Sequence, residues 1–166
     1  MSRLATVLSA LCGAVLAAAM VVLGAFGGAA YWRHVELTAE QQTAATLPEM
    51  AKDAVPKILG YDYQNVERSS VEALTLMTPE FRKRYQEMTA KNHIFENARE
   101  RQVISQVDVV GVGMMASGRD SGSVLTFVNR IINDKSKQPT YEGSRLKVQY
   151  RRIGDRWLID EMTPIF

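Results

Sequence analysis

The sequence predicts an α+β fold in which a single N-terminal transmembrane helix is followed by a domain of about three helices packed on a curved four-stranded antiparallel sheet. Three observations carry that expectation. No charged residue occurs from Leu4 to Trp32. Apolar residues then recur at helical spacing between Met50 and Ala98, and from Gln102 onward the spacing changes to alternation. Helices that precede strands, instead of alternating with them, argue for an antiparallel sheet with the helices on one face.

Averaged over its 166 residues, the chain looks like an ordinary soluble domain: 46% hydrophobic, with 20 Lys plus Arg against 18 Asp plus Glu. The average hides the 29 positions 4–32, of which 23 are apolar and four are glycine. About 20 apolar residues of helix cross a bilayer core roughly 30 Å thick, so this stretch is long enough. A secretory signal peptide is the competing reading, and the small residues at 27–30 imitate a cleavage site. Its apolar region, however, runs to only about 7–15 residues. A retained anchor over 4–32, behind a short tail at 1–3, is therefore expected. Tyr31 and Trp32 suit the headgroup level at its end, whereas Arg3 on one side and Arg33 on the other leave the charge rule for orientation nearly silent.

Within the span, Gly24 and Gly28 share a helix face and form a small-xxx-small pair, which points to a partner helix in the membrane. Glycine- and alanine-rich spans also produce this spacing by chance. Cys12 is the one cysteine, so residues 33–166 hold no disulfide framework, cysteine metal site or cysteine nucleophile.

A polar, alanine-rich helical stalk is expected over 33–47, leaving 48–166 as the folded domain. Pro48 suits the first turn of a new helix carrying Ala51, Ala54, Val55 and Ile58, Pro56 predicts a kink or break, and Gly60 a stop. Ser69 with Glu72 reads as a capping box for a short helix to about Met77, and Thr78-Pro79 as the start of a third helix running to about Arg101. Its stripe is Phe81, Tyr85, Met88, Asn92, Phe95 and Ala98. Arg82, Lys83 and Arg84 form a basic run, but Glu80 and Glu87 flank it and the net charge is only +2. A solvated helix face is expected there and no nucleic-acid partner.

The first strand follows with Val103, Val107 and Val109 alternating, and Gly111 with Gly113 allow a bulge. A second strand covers 124–132 with Leu125, Phe127 and Ile131 on one face. A basic loop spans 133–143. A third strand sets Leu146, Val148 and Tyr150 against Lys147, Gln149 and Arg151. Gly154-Asp155 then turns the chain into a fourth strand through Trp157, Leu158 and Ile159.

This layout resembles the cone-shaped fold of nuclear transport factor two-like proteins, an architecture also found in the periplasmic domain of bitopic scaffold proteins of type IV secretion systems. A narrower resemblance rests on the single span, the segment Ile58-Leu59-Gly60-Tyr61-Asp62-Tyr63, the helix start Thr78-Pro79-Glu80-Phe81, and the ending from Trp157 through Asp160 to Pro164. These are similar to actinobacterial Mce-associated membrane proteins. The resemblance implies a non-enzymatic accessory subunit that assembles or stabilises an Mce-type lipid-transport complex. It would sit in the cell membrane as a single-pass protein with its C-terminal domain on the outer, periplasmic side. Its partners would be Mce-family proteins, their permease subunits and membrane lipid. Two other readings stay open: a domain that holds lipid or a small apolar ligand in a cone lined by Phe81, Tyr85, Phe127 and Tyr150, and a type IV secretion-like inner-membrane scaffold.

The residues themselves suggest structural work. Asp62 can accept backbone N–H bonds and fix a turn between Tyr61 and Tyr63, Trp157 can pack a final strand under the helices, and Asp160 can cap the C-terminal segment. Catalysis finds little support. His34 and His93 are far apart in the chain, and a pocket joining His93 to Asp108 and Tyr141 is beyond what spacing can establish. No catalytic, metal-binding or cofactor-binding residue is expected, and no cofactor.

Overall fold

The computed structural model describes residues 20, 35, 37–136 and 138–166. The transmembrane helix expected at 4–32, with Gly24 and Gly28 and the tail at 1–3, lies outside the described residues apart from Met20. Among the described residues no helix is long and apolar enough to cross a membrane. A compact unit covers Glu40–Phe166.

The first helix, α1, is continuous over residues 37–59. It therefore neither begins at Pro48 nor breaks at Pro56, which corrects both expectations. An interior proline costs about 3 kcal/mol. Leu47, Val55 and Ile58 are buried in one stripe with Ala51 and Ala54, and fully burying each large side chain contributes on the order of 1.5–3 kcal/mol, so packing outweighs the prolines. The stripe extends upstream of Pro48 into the segment expected to be a stalk. Leu47 is fully buried, and the buried Thr43 donates its hydroxyl to the Gly118 carbonyl at 2.9 Å. Gly60 ends the helix by donating to the Pro56 carbonyl at 2.8 Å. A Cβ at Gly60 would stand 2.6 Å from that same oxygen, so only glycine fits this stop.

Three further helices follow: α2 (Val66–Thr75), α3 (Pro79–Lys91) and α4 (Ile94–Arg101). The capping box expected at Ser69 and Glu72 is not used; α2 starts earlier, behind Asn65, and Ser69 lies inside it with its hydroxyl on the Asn65 side chain. Thr78 caps α3 as expected, its Oγ1 accepting from Phe81 N–H at 3.2 Å with Pro79 in the first turn. The single helix to Arg101 is corrected to two. Asn92 turns its side chain onto the Met88 carbonyl, and His93 takes a left-handed conformation at φ 49°. The expected stripe divides there: Met88 and Asn92 are exposed, while Ala98 is buried.

The sheet has five strands in the order β1-β2-β3-β4-β5, all antiparallel neighbours: β1 (Tyr61–Asp62), β2 (Ile104–Ser117), β3 (Ser121–Asn133), β4 (Thr140–Ile153) and β5 (Arg156–Pro164). The expected four become five because the Tyr61-Asp62 backbone pairs with Ser105 and Ile104. Two residues are too short for alternation to announce a strand. The long loop expected at 133–143 shrinks as β3 continues to Asn133 and β4 begins at Thr140. Gly154, at φ +61°, makes the expected tight turn between Ile153 and Arg156.

Register shifts occur in β2 between Val109 and Gly111 and between Met114 and Ala116, and in β5 around Asp160. The extra residues Val110 and Met115 are exposed, while Val107, Val109, Val112 and Met114 keep packing against the core. One inserted residue resets the alternation and bends the strand, which gives the sheet its curvature.

The core lies between α1 and one face of β3 and β4, where Val124, Val128, Val148 and Tyr150 are each no more than 2% exposed. Leu125, Phe127 and Ile131 share a face of β3 as expected; it is the face turned away from the core, while Val124, Thr126 and Val128 point inward. On β4 the expected alternation of Leu146, Val148 and Tyr150 against Lys147, Gln149 and Arg151 is observed. Helix and sheet approach closely at Gly122, where a Cβ would stand 2.5 Å from Leu47 Cδ1.

Candidate functional site

The densest polar cluster forms where β5 meets the start of α3. Met77 makes a parallel bridge with Ile159, and the Thr78 N–H donates to the Ile159 carbonyl at 2.9 Å. The bulge in β5 then sends Asp160 toward the helix cap, where its Oδ1 accepts from the Thr78 hydroxyl at 2.9 Å and from Arg151 Nη2 at 2.6 Å. Arg151 also donates to Glu80 Oε2 at 2.9 Å, and Arg84 donates to the Asp160 carbonyl at 2.8 Å. Burial pushes the Asp160 carboxyl up, but the hydrogen bonds from Arg151 and Thr78 with the charges of Arg151 and Arg84 outweigh it and hold the group below its ordinary 3.8. The Arg151 guanidinium is raised, chiefly by its hydrogen bond to Asp160. The expectation that Asp160 caps the C-terminal segment is thus corrected: it braces the N-cap of α3.

Beside this cluster a groove of about 390 Å³ runs between the β2–β3 turn and β4, lined by Ser117, Gly118, Ser123, Lys147, Arg151 and Asp160. Two carboxylates already neutralise Arg151, so the groove presents hydroxyls and the Lys147 ammonium. These groups suit contact with another polar surface.

The segment expected to form a structural motif does so at the other end of the sheet. Asp62 Oδ1 accepts from Gln64 N–H at 2.9 Å, the turn the sequence predicts, and the Tyr63 N–H donates to the Val103 carbonyl at 3.1 Å. The Arg130 guanidinium lies 6.0 Å from the centre of the Tyr61 ring and donates through Nε to Ser105 Oγ at 2.8 Å; Ser105 in turn donates to the Leu59 carbonyl at 3.2 Å. Trp157 is half-buried against the core, and Pro164 closes the edge strand opposite Leu146.

The four residues expected to line a ligand cavity do not share one. Phe81 and Tyr85 are half-buried beside the core, where Tyr85 donates to the Ile58 carbonyl at 3.4 Å and burial raises its hydroxyl above the ordinary 10. Tyr150 is inside the core itself, with burial likewise pushing its hydroxyl up. Phe127 is on the opposite face of the sheet, 41% exposed. His93, Asp108 and Tyr141 are all exposed, on α4's cap, β2 and β4 respectively, and none lines the polar groove. Among the described residues no three His, Cys, Asp or Glu side chains cluster closely enough to hold a metal ion. Sequence reasoning missed Arg151, Arg130 and Glu80. The available signal was an arginine inside each of two strands, where a charge needs a partner.

No family model matches the chain. Two uncharacterized proteins of Mycobacterium tuberculosis, from strains CDC 1551 / Oshkosh and H37Rv, are each 25% identical over 145 residues, covering 84% of this chain. The chain spans 66% of the length of these relatives. Among solved structures, an IcmL-like type IV secretion system protein from Legionella pneumophila superposes with a TM-score of 0.62 at 10% identity, covering 74% of this chain and 93% of that one. The periplasmic domain of DotI gives 0.64 at 9% identity over 73% and 94%. Agrobacterium tumefaciens VirB8 gives 0.56 at 10% over 68% and 84%. The likeness is one of fold, and it meets the expectation of an α+β architecture shared with type IV secretion domains.

Proposed function

We propose that this protein is a non-enzymatic, single-pass membrane scaffold whose C-terminal domain, on the outer side of the cell membrane, holds together subunits of a multiprotein envelope complex. The observation that carries the reading is the filled interior. Leu47, Val55, Met77, Val124, Val148 and Ile159 occupy the space under the sheet, each about 1% exposed or less. Tyr150 packs among them, 2% exposed, and borders the polar groove beside β4 instead of an apolar chamber, which weighs against lipid held inside the cone. The fold supports the scaffold reading, because secretion-system proteins, one of them a periplasmic domain, share it. The charge-free stretch 4–32 supports the anchor.

A second reading makes the complex an Mce-type lipid transporter, with Mce-family proteins and permease subunits as partners. It rests on the motif resemblance. The motif residues Gly60, Asp62, Thr78 and Asp160 all hold the fold together, so they speak for a shared domain more than for a shared partner.

Affinity purification of the full chain from detergent, with the span intact, tests both. Recovery of several envelope-complex subunits, and lower levels of that complex in a deletion strain, are the expected results; their identity separates secretion-like from Mce-type partners. Repeated isolation of the chain alone, with unchanged complex levels in the deletion strain, would overturn the scaffold reading.

A further inference from the structure

We propose that the end of the sheet where α1 enters, carrying the β2–β3 and β4–β5 turns, rests on the surface of an anionic phospholipid bilayer. The inference builds on the single-pass anchor of the preceding reading. Two contacts assemble that end. The Thr43 hydroxyl on α1 donates to the Gly118 carbonyl at 2.9 Å, and the Arg152 N–H donates to the Asp120 carbonyl at 2.8 Å, so the two turns lie side by side near the start of α1. The last turn of α1 belongs to the opposite end of the sheet, where Ser105 donates to the Leu59 carbonyl at 3.2 Å.

Chain length puts these turns within reach of the membrane. Eleven residues lead from Trp32, the last of the charge-free stretch, to Thr43. The final six steps are helical at about 1.5 Å each and the first five cover at most about 3.5 Å each, so Gly118 is no more than roughly 30 Å from the end of the span. The β3–β4 loop at 134–139 is basic as well, but strands of 13–14 residues set it about 45 Å further along the sheet. Position, and not charge alone, singles out the turns.

The turns carry the chemistry such a surface needs. Arg119, Arg152 and Arg156 are exposed, and among the described residues Arg119 and Arg156 have no ion-pair partner. Arg152 stands 3.7 Å from Asp155, whose side chain is fully exposed; so open a pair contributes little, and a phosphate can take the place of the carboxylate. A guanidinium grips phosphate through paired N–H donors. Ile153, beside these arginines, is 44% exposed. A lone exposed isoleucine needs no explanation, but an apolar side chain flanked by arginines suits the boundary between anionic headgroups and acyl chains. Asp120 and Asp155 offset part of the charge, so the turns would hold an untethered domain weakly. The anchor raises their local concentration at the bilayer and makes so small a surface sufficient.

The test uses the full chain with Cys12→Ser in nanodiscs of phosphatidylcholine, with or without phosphatidylglycerol. An environment-sensitive fluorophore is attached at Ile153→Cys or, in the far loop, at Gln138→Cys. With phosphatidylglycerol present, emission from position 153 should shift to the blue and be quenched by a lipid spin-labelled at its headgroup; neither change should occur at 138. Arg152→Glu with Arg156→Glu should abolish both changes at 153 and keep the thermal midpoint, since both side chains are exposed. Equal signals at 153 and 138, or quenching that survives the charge reversal, overturns the proposal and leaves the anchor standing. So does a blue shift at 153 without lipid quenching, as a docked protein would give. A chain that does not enter nanodiscs at all overturns the anchor and the docking together.

Discussion

The hydroxyl of Thr78 donates to Asp160 Oδ1 at 2.9 Å while accepting from the Phe81 N–H at 3.2 Å, so one side chain both caps α3 and ties it to β5, 82 residues away in sequence. Losing a helix cap costs about 1 kcal/mol. Losing a hydrogen bond to a charged group costs about 1.5–3 kcal/mol. Thr78→Ala should therefore lower unfolding stability by roughly 2.5–4 kcal/mol, and Thr78→Ser should keep most of it. Denaturant unfolding of both variants checks this; equal losses would show that the hydroxyl is not what matters.

The hydroxyls of Tyr150 and Thr126 are buried with no hydrogen-bond partner among the described residues. A buried unsatisfied hydroxyl costs about 1–3 kcal/mol. Tyr150→Phe and Thr126→Val remove it at nearly constant volume, so thermal midpoints should hold or rise. A fall in either variant would reveal a partner for that oxygen.

Helix α1 depends on the absence of a side chain at Gly122, where an added Cβ would stand 2.5 Å from Leu47 Cδ1, 3.1 Å from the Ala116 carbonyl and 3.2 Å from Thr43 Cγ2. Overpacking of this kind costs about 1–3 kcal/mol. Gly122→Ala should loosen the docking of α1, seen as faster amide exchange over residues 43–55. Gly113→Ala, with open space around it, should leave exchange unchanged.

Stability should be flat near neutrality and fall at both extremes of pH. Hydrogen bonds from Ser136 and Arg101 hold the Asp134 carboxyl at about 2, and Asp160 is also below its ordinary 3.8. A depressed carboxylate contributes fully above its unfolded value and loses that contribution as pH falls through the folded one. For Asp134 the loss runs from about 3.8 down to about 2. Tyr85 and Tyr150 are shifted upward from 10. The unfolded chain gives up those protons first, so stability declines as pH climbs past 10. Thermal midpoints across pH check both limbs, and Asp134→Asn should flatten part of the acid one.

What the sequence disclosed follows the strength of local pattern. Alternation in Leu146, Val148 and Tyr150, the Thr78-Pro79 cap, the Gly154 turn and the Asp62 turn all rest on neighbours in the chain, and each is observed. The misses need distant contacts. Pro48 and Pro56 break helices locally, yet the buried stripe from Leu47 to Ile58 holds α1 together. Alternation puts Leu125 and Phe127 on one face of β3, but only the fold decides that the helices cover the other, built from Val124, Thr126 and Val128. The Asp160 bulge shifts pairing by one residue, a displacement no period reveals. Hence Arg151 and Glu80 were invisible as partners until the fold brought them together.

Among the described residues, the strand order leaves β2 beyond Ser105 without a neighbouring strand on one side. Exposed backbone of that kind is a template for uncontrolled strand addition. The bulges at Val110 and Met115 cut it into runs of four residues at 106–109 and 111–114, each twisted away from the next. An incoming strand finds no straight ladder to copy, so crowded copies of this chain are guarded against fusing into fibrils.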